Sequence, residues 1–185
     1  MVLLRSIATV GGFTIISRFL GFARDILIAA MMGAGPVADA FLVAFKLPNF
    51  FRRLFAEGAF SAAFVPLFTR HMSEDGLDAA RHFTQEVLGV LVVALLFFVT
   101  ALQIIMPWTM YVFAPGFSDD PLRFDLAVSM AQITFPYLIF ISLVSQLGGV
   151  LNALGKFAAA AATPIILNLC LITALLGLSG FVETP

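Results

Sequence analysis

The apolar residues of this chain neither alternate nor keep to one helical face. They run on in blocks of about twenty or more, separated by short polar or Gly/Pro clusters. A helix that is apolar on every side belongs in lipid or in a large core, and about 20 such residues cross the roughly 30 Å hydrocarbon layer of a membrane. The pattern predicts five such segments, over about 6–32, 37–69, 85–108, 126–154 and 158–178. The first stops at Gly33-Ala34-Gly35-Pro36, a strong helix break. The second is interrupted at Pro48 and Pro66 and, at 1.5 Å per residue, measures about 50 Å, so it is expected to bend at Pro48 or to protrude into water. The third contains the cleanest apolar run, Val87–Met106. The expected fold class is all-α, a polytopic membrane helix bundle of about five transmembrane helices.

Composition agrees with that class. Of 185 residues, 61% are hydrophobic and 11% charged, with mean hydropathy +1.05, whereas soluble domains carry roughly 25% charged residues. The net charge of −1 says nothing about partners, and no basic run or motif points to nucleic acid. The single cysteine, Cys170, excludes an internal disulfide. Arg5 ahead of an apolar stretch has the outline of a signal peptide, but no small-residue cleavage site follows and Arg18, Arg24 and Asp25 interrupt the run, so retention is expected. Lys and Arg mark cytoplasmic connectors. Arg5, the polar stretch from Arg70 to Arg81, and Lys156 fall on one side, and the Gly33–Pro36 turn and the Ala114–Pro121 loop on the other. The expected topology has a cytoplasmic N-terminus, with Trp108 and Tyr111 at the outer interface. Arg123 is the one basic residue on the wrong side.

Charge placement is the informative part. Arg18, Arg24, Asp25, Asp39, Lys46, Arg52, Arg53 and Glu57 lie inside membrane-grade sequence, five positive against three negative. A charge at the bilayer centre costs roughly 2.5–3.5 kcal/mol even on the most lenient scale, so these residues must line a wet cavity, pair with one another, or sit near the interfaces. A cavity built from them is cationic and suits an anionic guest. Arg18 and Asp25 are seven residues apart, close to one helical face, and Asp39, Lys46, Arg53 and Glu57 fall in a narrow stripe with Arg53–Glu57 at i,i+4. Arg24 and Arg52 point elsewhere on their helices. Three readings stay open at this point: snorkelling of Arg52, Arg53 and Glu57 to the interface, structural pairing of an arginine with a carboxylate, and a functional cavity.

Other motifs carry less. His71 and His82 sit in a polar stretch and read as a solvated face rather than a metal site. Asp119-Asp120 lacks the second acidic cluster of a metal–pyrophosphate enzyme, and no nucleophile–base set or phosphate-cradling glycine loop is present. No cofactor is expected. Gln132, Gln146, Asn152 and Asn168 read as hydrogen bonds between helices.

Two blocks, Ser17-Arg18-Phe19-Leu20-Gly21-Phe22-Ala23-Arg24-Asp25 and Ala38-Asp39-Ala40-Phe41-Leu42-Val43-Ala44-Phe45-Lys46-Leu47-Pro48-Asn49 continuing through Arg52-Arg53-Leu54-Phe55-Ala56-Glu57-Gly58, resemble the MurJ (MviN) lipid II flippases. So do Ala114-Pro115-Gly116-Phe117 and Ile133-Thr134-Phe135-Pro136-Tyr137. The resemblance covers essentially the whole chain. It implies membership of the multidrug/oligosaccharidyl-lipid/polysaccharide exporter superfamily, with about fourteen helices in two lobes around a cationic cavity. It also implies outward movement of the lipid-linked peptidoglycan precursor across the bacterial inner membrane by alternating access, for cell wall biosynthesis. In that family the positions matching Arg18, Arg24, Asp39 and Arg52 are regarded as substrate-binding or gating, and Ser17, Asp25, Lys46, Arg53 and Glu57 rank second. The implied partners are a lipid-linked pyrophosphate glycan, membrane lipids, and the second lobe, which five helices ending at Pro185 do not supply. The chain is thus expected to be a partial N-terminal lobe, inactive alone, and a transporter rather than an enzyme. Two rivals are an exporter of cationic drugs, which needs a carboxylate-rich cavity, and a small membrane subunit or polyprenyl-phosphate-processing enzyme.

Overall fold

A computed structural model describes residues 2–54 and 59–178, with side chains for 8–54 and 62–177. The described residues are helical throughout, without strands. The helices are α1 (Val2–Met32), α2 (Pro36–Arg52), α3 (Ala59–Glu74), α4 (Leu77–Ile104), α5 (Met106–Phe113), α6 (Pro121–Thr134), α7 (Tyr137–Ala153) and α8 (Phe157–Leu178), with one 3-10 turn at Pro115–Phe117. Two of them, α4 and α8, are long and apolar enough to cross a membrane, and α6 with α7 make a third span bent by 41° if taken together. The protein is an all-α, polytopic membrane helix bundle.

Hydropathy and helix limits part company in the polar stretch after Thr69. There the backbone stays helical through Glu74 and resumes at Leu77, so only a tight turn separates α3 from α4. Lipid demands apolar residues, but a helix does not. Arg70 and Glu74 pair at i,i+4 (3.0 Å), and the reversal falls on Gly76, whose φ of 89° a side chain would strain. At the other end α4 stops at Ile104, and Pro107 opens the separate α5 that carries Trp108 and Tyr111.

The chain divides into two compact units, residues up to Gly35 with those from Leu154 onward, and Pro36–Ala153. In the first, α1 packs on α8. In the second, α2 lies along α6, and the contact is built from Ala40 and Ala44 against Ala127 and Ala131, all fully buried. Alanines at i,i+4 on both helices let the backbones approach closely, the usual basis of packing where lipid offers no hydrophobic drive. Phe51 meets Phe98 and Phe135 edge to face, at 5.1 and 5.7 Å. Around α3 and α4, Phe64, Phe83 and His71 stack in series.

Prolines explain several polar contacts in the second unit. A proline has no N–H, so the carbonyl four residues earlier loses its helical partner, and in lipid no water replaces it. Pro48 orphans the Ala44 carbonyl, and the Thr134 hydroxyl donates to that oxygen at 3.0 Å. Pro136 orphans the Gln132 carbonyl, which accepts from Gln103 Nε2 at 2.7 Å. Pro107 orphans the Gln103 carbonyl, which accepts from Gln132 Nε2 at 3.3 Å. The last two form a reciprocal clasp between the breaks that end α4 and α6. Substituting Gln103→Leu therefore strands the Gln132 carbonyl, while the Gln132 amide keeps its bond to the backbone carbonyl of residue 103. We expect thermal unfolding in detergent to register a loss of about 1–2 kcal/mol. A Gln103→Leu protein as stable as the parent would contradict this role.

Candidate functional site

In the first unit the charged block lies on α1, and α8 fixes part of it. Arg24 is half-buried, its side chain 17% exposed against 65% for Asp25. Its Nε and Nη2 both donate to Asp25 Oδ1, at 3.1 and 2.8 Å, and its Nη1 donates to Asn168 Oδ1 at 2.8 Å. Asn168 Nδ2 donates in turn to the Ser17 carbonyl at 3.1 Å. Ser17, Arg24 and Asp25 thus belong to one network. Arg18 is exposed one turn away, beside an open depression of about 310 Å³ lined by Ile15, Arg18, Phe19 and Phe22. An arginine on an otherwise apolar exposed face presents a guanidinium where lipid chains can lie alongside.

Helical phase puts Arg18 and Asp25 near one face, and of the two arginines open to pairing with a carboxylate it is Arg24 that holds Asp25. Adjacent residues diverge by about 100° around a helix, but an arginine side chain is long enough to fold back across that angle while its far edge reaches α8.

In the second unit Asp39 sits in the first turn of α2 and faces Arg123 of α6 at 3.6 Å. Arg123 also pairs with Asp120 at 3.7 Å and lies over the Phe117 ring, 5.5 Å from its centroid. Asp120 accepts from the Arg123 backbone N–H and caps α6, with Pro121 next. Arg123 was absent from the sequence-derived site, although it was the basic residue that broke the topological rule. A positive charge on the wrong side, near an acid at the start of a helix on that same side, is the signal that marks such a pair.

Lys46 is exposed, and Arg52 is half-buried in the last turn of α2, where a cation suits the helix dipole. Arg53 is exposed in a π-type turn over 53–54. Glu57, and with it the Arg53–Glu57 pair, lies outside the described residues. His71 stacks on Phe83 at 4.6 Å and His82 pairs with Glu86, and no group of three potential metal ligands occurs among the described residues. Of the amides expected to bond between helices, Gln132 and Asn168 do, whereas Asn152 is exposed and Gln146, buried with Ser142 on α7, has no partner among the described residues.

The fold and site define a membrane-embedded helical protein with fixed guanidinium groups in its apolar segments. The family model for the lipid II flippase MurJ matches residues 28–182, and the chain belongs to the MurJ family. It is 51% identical over 176 residues to a probable lipid II flippase MurJ of Rhizobium tropici, covering 95% of this chain and 33% of that protein. It is 41% identical over 184 residues to a probable lipid II flippase MurJ of Rickettsia prowazekii, covering 100% and 36%. To the lipid II flippase MurJ of Burkholderia cenocepacia it is 40% identical over 189 residues, again covering 100% and 36%. The chain spans about a third of the length of these curated relatives.

Proposed function

We propose that these residues form the N-terminal part of a lipid II flippase and supply cationic contacts for the pyrophosphate of a lipid-linked glycan as it passes from the inner to the outer leaflet. The observation that carries this reading is the Arg24 network: a guanidinium in a largely apolar helix, oriented by Asp25 and Asn168. A lipid pyrophosphate carries about two negative charges and does not cross hydrocarbon unaided. Guanidinium groups match phosphate oxygens with a planar fork and stay charged at physiological pH. Arg18, Arg24 and Arg52 are the binding cations, and the Asp39–Arg123 pair is a gate element that opens and closes with the cavity. Ser17, Asp25, Lys46, Arg53 and Glu57 support them. The prenyl tail stays in lipid, no bond is made or broken, and the protein is a transporter. The remaining lobe supplies the opposite wall. A Rhizobium tropici relative whose N-terminal third is replaced by residues 1–185 tests this. It is expected to sustain growth of a strain depleted of its own flippase. Failure at normal membrane abundance would overturn the reading.

The membrane is the bacterial inner membrane, with the N-terminus and the turn at Asp75 cytoplasmic and the loop at Asp119 outside. Exposed Trp108 and Tyr111 beside that loop support this orientation. Cys170 is exposed and must first become alanine. In that background we expect an impermeant thiol reagent to label Asp119→Cys and spare Asp75→Cys in intact cells. The reverse pattern would invert the topology.

A further inference from the structure

We propose that Asn168 is a positioning residue for pyrophosphate recognition, its amide on α8 setting the orientation of the Arg24 guanidinium on α1. The inference rests on the reading of Arg24 as a pyrophosphate-binding cation.

Asn168 is 6% exposed in the middle of an otherwise apolar helix. A buried amide in such a helix is costly unless both of its ends are used. Both are. Its oxygen takes the Arg24 Nη1 donor, and its nitrogen gives to the Ser17 carbonyl. That arrangement admits no flip, because a guanidinium only donates and a carbonyl only accepts. Gly21 lies against the amide, 3.6 Å from Nδ2 to where a Cβ would stand, so no side chain intervenes between the helices. The Ser17 bond holds the amide to α1, and the amide holds one edge of the fork while Asp25 holds the other. Arg24 is restrained from both sides.

The neutrality of Asn168 matters as much as its shape. Asp25 already offers Arg24 one carboxylate. A second on the opposite edge would leave the group net negative and repel an anion. An amide oxygen orients the guanidinium without neutralising it.

The test uses a full-length flippase carrying residues 1–185 as its N-terminal segment, purified in detergent, with a short-chain prenyl pyrophosphate as probe. Asn168→Leu, close in size but without an acceptor, is expected to weaken binding about tenfold, which is about 1.4 kcal/mol. Asn168→Asp keeps an acceptor for Arg24 but adds a second negative charge beside it and loses the donor to the Ser17 carbonyl, and is expected to weaken binding by more than Asn168→Leu. Melting temperatures are read in parallel, since a merely structural amide would move these and leave affinity alone. Both variants binding within twofold of the parent would overturn the proposal, whatever their melting temperatures. If Arg24→Ala binds as the parent does, the reading of Arg24 itself falls. If Arg24→Ala loses binding while both Asn168 variants keep it, only the positioning role falls.

Discussion

In a full-length flippase built on this segment, Arg24→Ala and Arg52→Ala are each expected to abolish growth when the native flippase is depleted. Truncating one partner of a desolvated, hydrogen-bonded charge pair costs about 2–5 kcal/mol, roughly a 30- to 4,000-fold loss of affinity. For Arg24 the structure sharpens the expectation for lysine. The guanidinium is gripped through Nε and Nη2 by Asp25 and through Nη1 by Asn168. A lysine ammonium is a point charge that cannot hold both edges at once, so Arg24→Lys should retain little activity. Asp25 is largely exposed, so losing its partner leaves a carboxylate that water can still reach, and the protein should accumulate normally. Phe97→Leu, at a position 79% exposed on α4, is the control and should be silent. Normal growth of both alanine variants at normal abundance would return Arg52 to simple snorkelling and Arg24 to structural pairing.

The second large effect concerns completeness. Residues 1–185 alone are expected to give no rescue of a flippase-depleted strain. They span about a third of their relatives' length, and a pyrophosphate held by cations of this segment without the remaining lobe stays open to lipid and to both aqueous phases. Alternating access needs a site that is closed on one side while open on the other. Rescue by residues 1–185 alone would show that these helices suffice, and the requirement for a second lobe would be wrong.

Much of this was legible before any coordinates. Unbroken apolar runs point to the membrane class, and the charges within them mark Arg18, Arg24, Asp25, Asp39, Lys46, Arg52, Arg53 and Glu57 as one group, which only the family resemblance ranks. Two kinds of information were not legible. Hydropathy reports where lipid must be, not where a helix ends, so the helical stretch to Glu74 and the early start of α4 at Leu77 read as a connector. Pairings between helices distant in sequence also leave no periodic trace. Asp39 with Arg123 and Arg24 with Asn168 both depend on how helices pack, and helical phase alone does not choose between Arg18 and Arg24 as the partner of a carboxylate. The proline contacts were readable in principle. Each proline names the carbonyl it orphans, and Gln103, Gln132 and Thr134 were the donors available in neighbouring apolar helices.

The central claim is that fixed arginines carry a lipid by its pyrophosphate. The most direct measurement reconstitutes the full-length protein in sealed vesicles with a fluorescent prenyl pyrophosphate, and separately with the same fluorescent prenol lacking phosphate. A membrane-impermeant reductant added outside then bleaches only the outer leaflet, so further bleaching reports outward movement. The expected result is protein-dependent movement of the pyrophosphate lipid, lost in Arg24→Ala and Arg52→Ala, with no acceleration of the neutral prenol. Equal acceleration of both lipids, or undiminished movement of the pyrophosphate lipid by the two alanine variants, would contradict it.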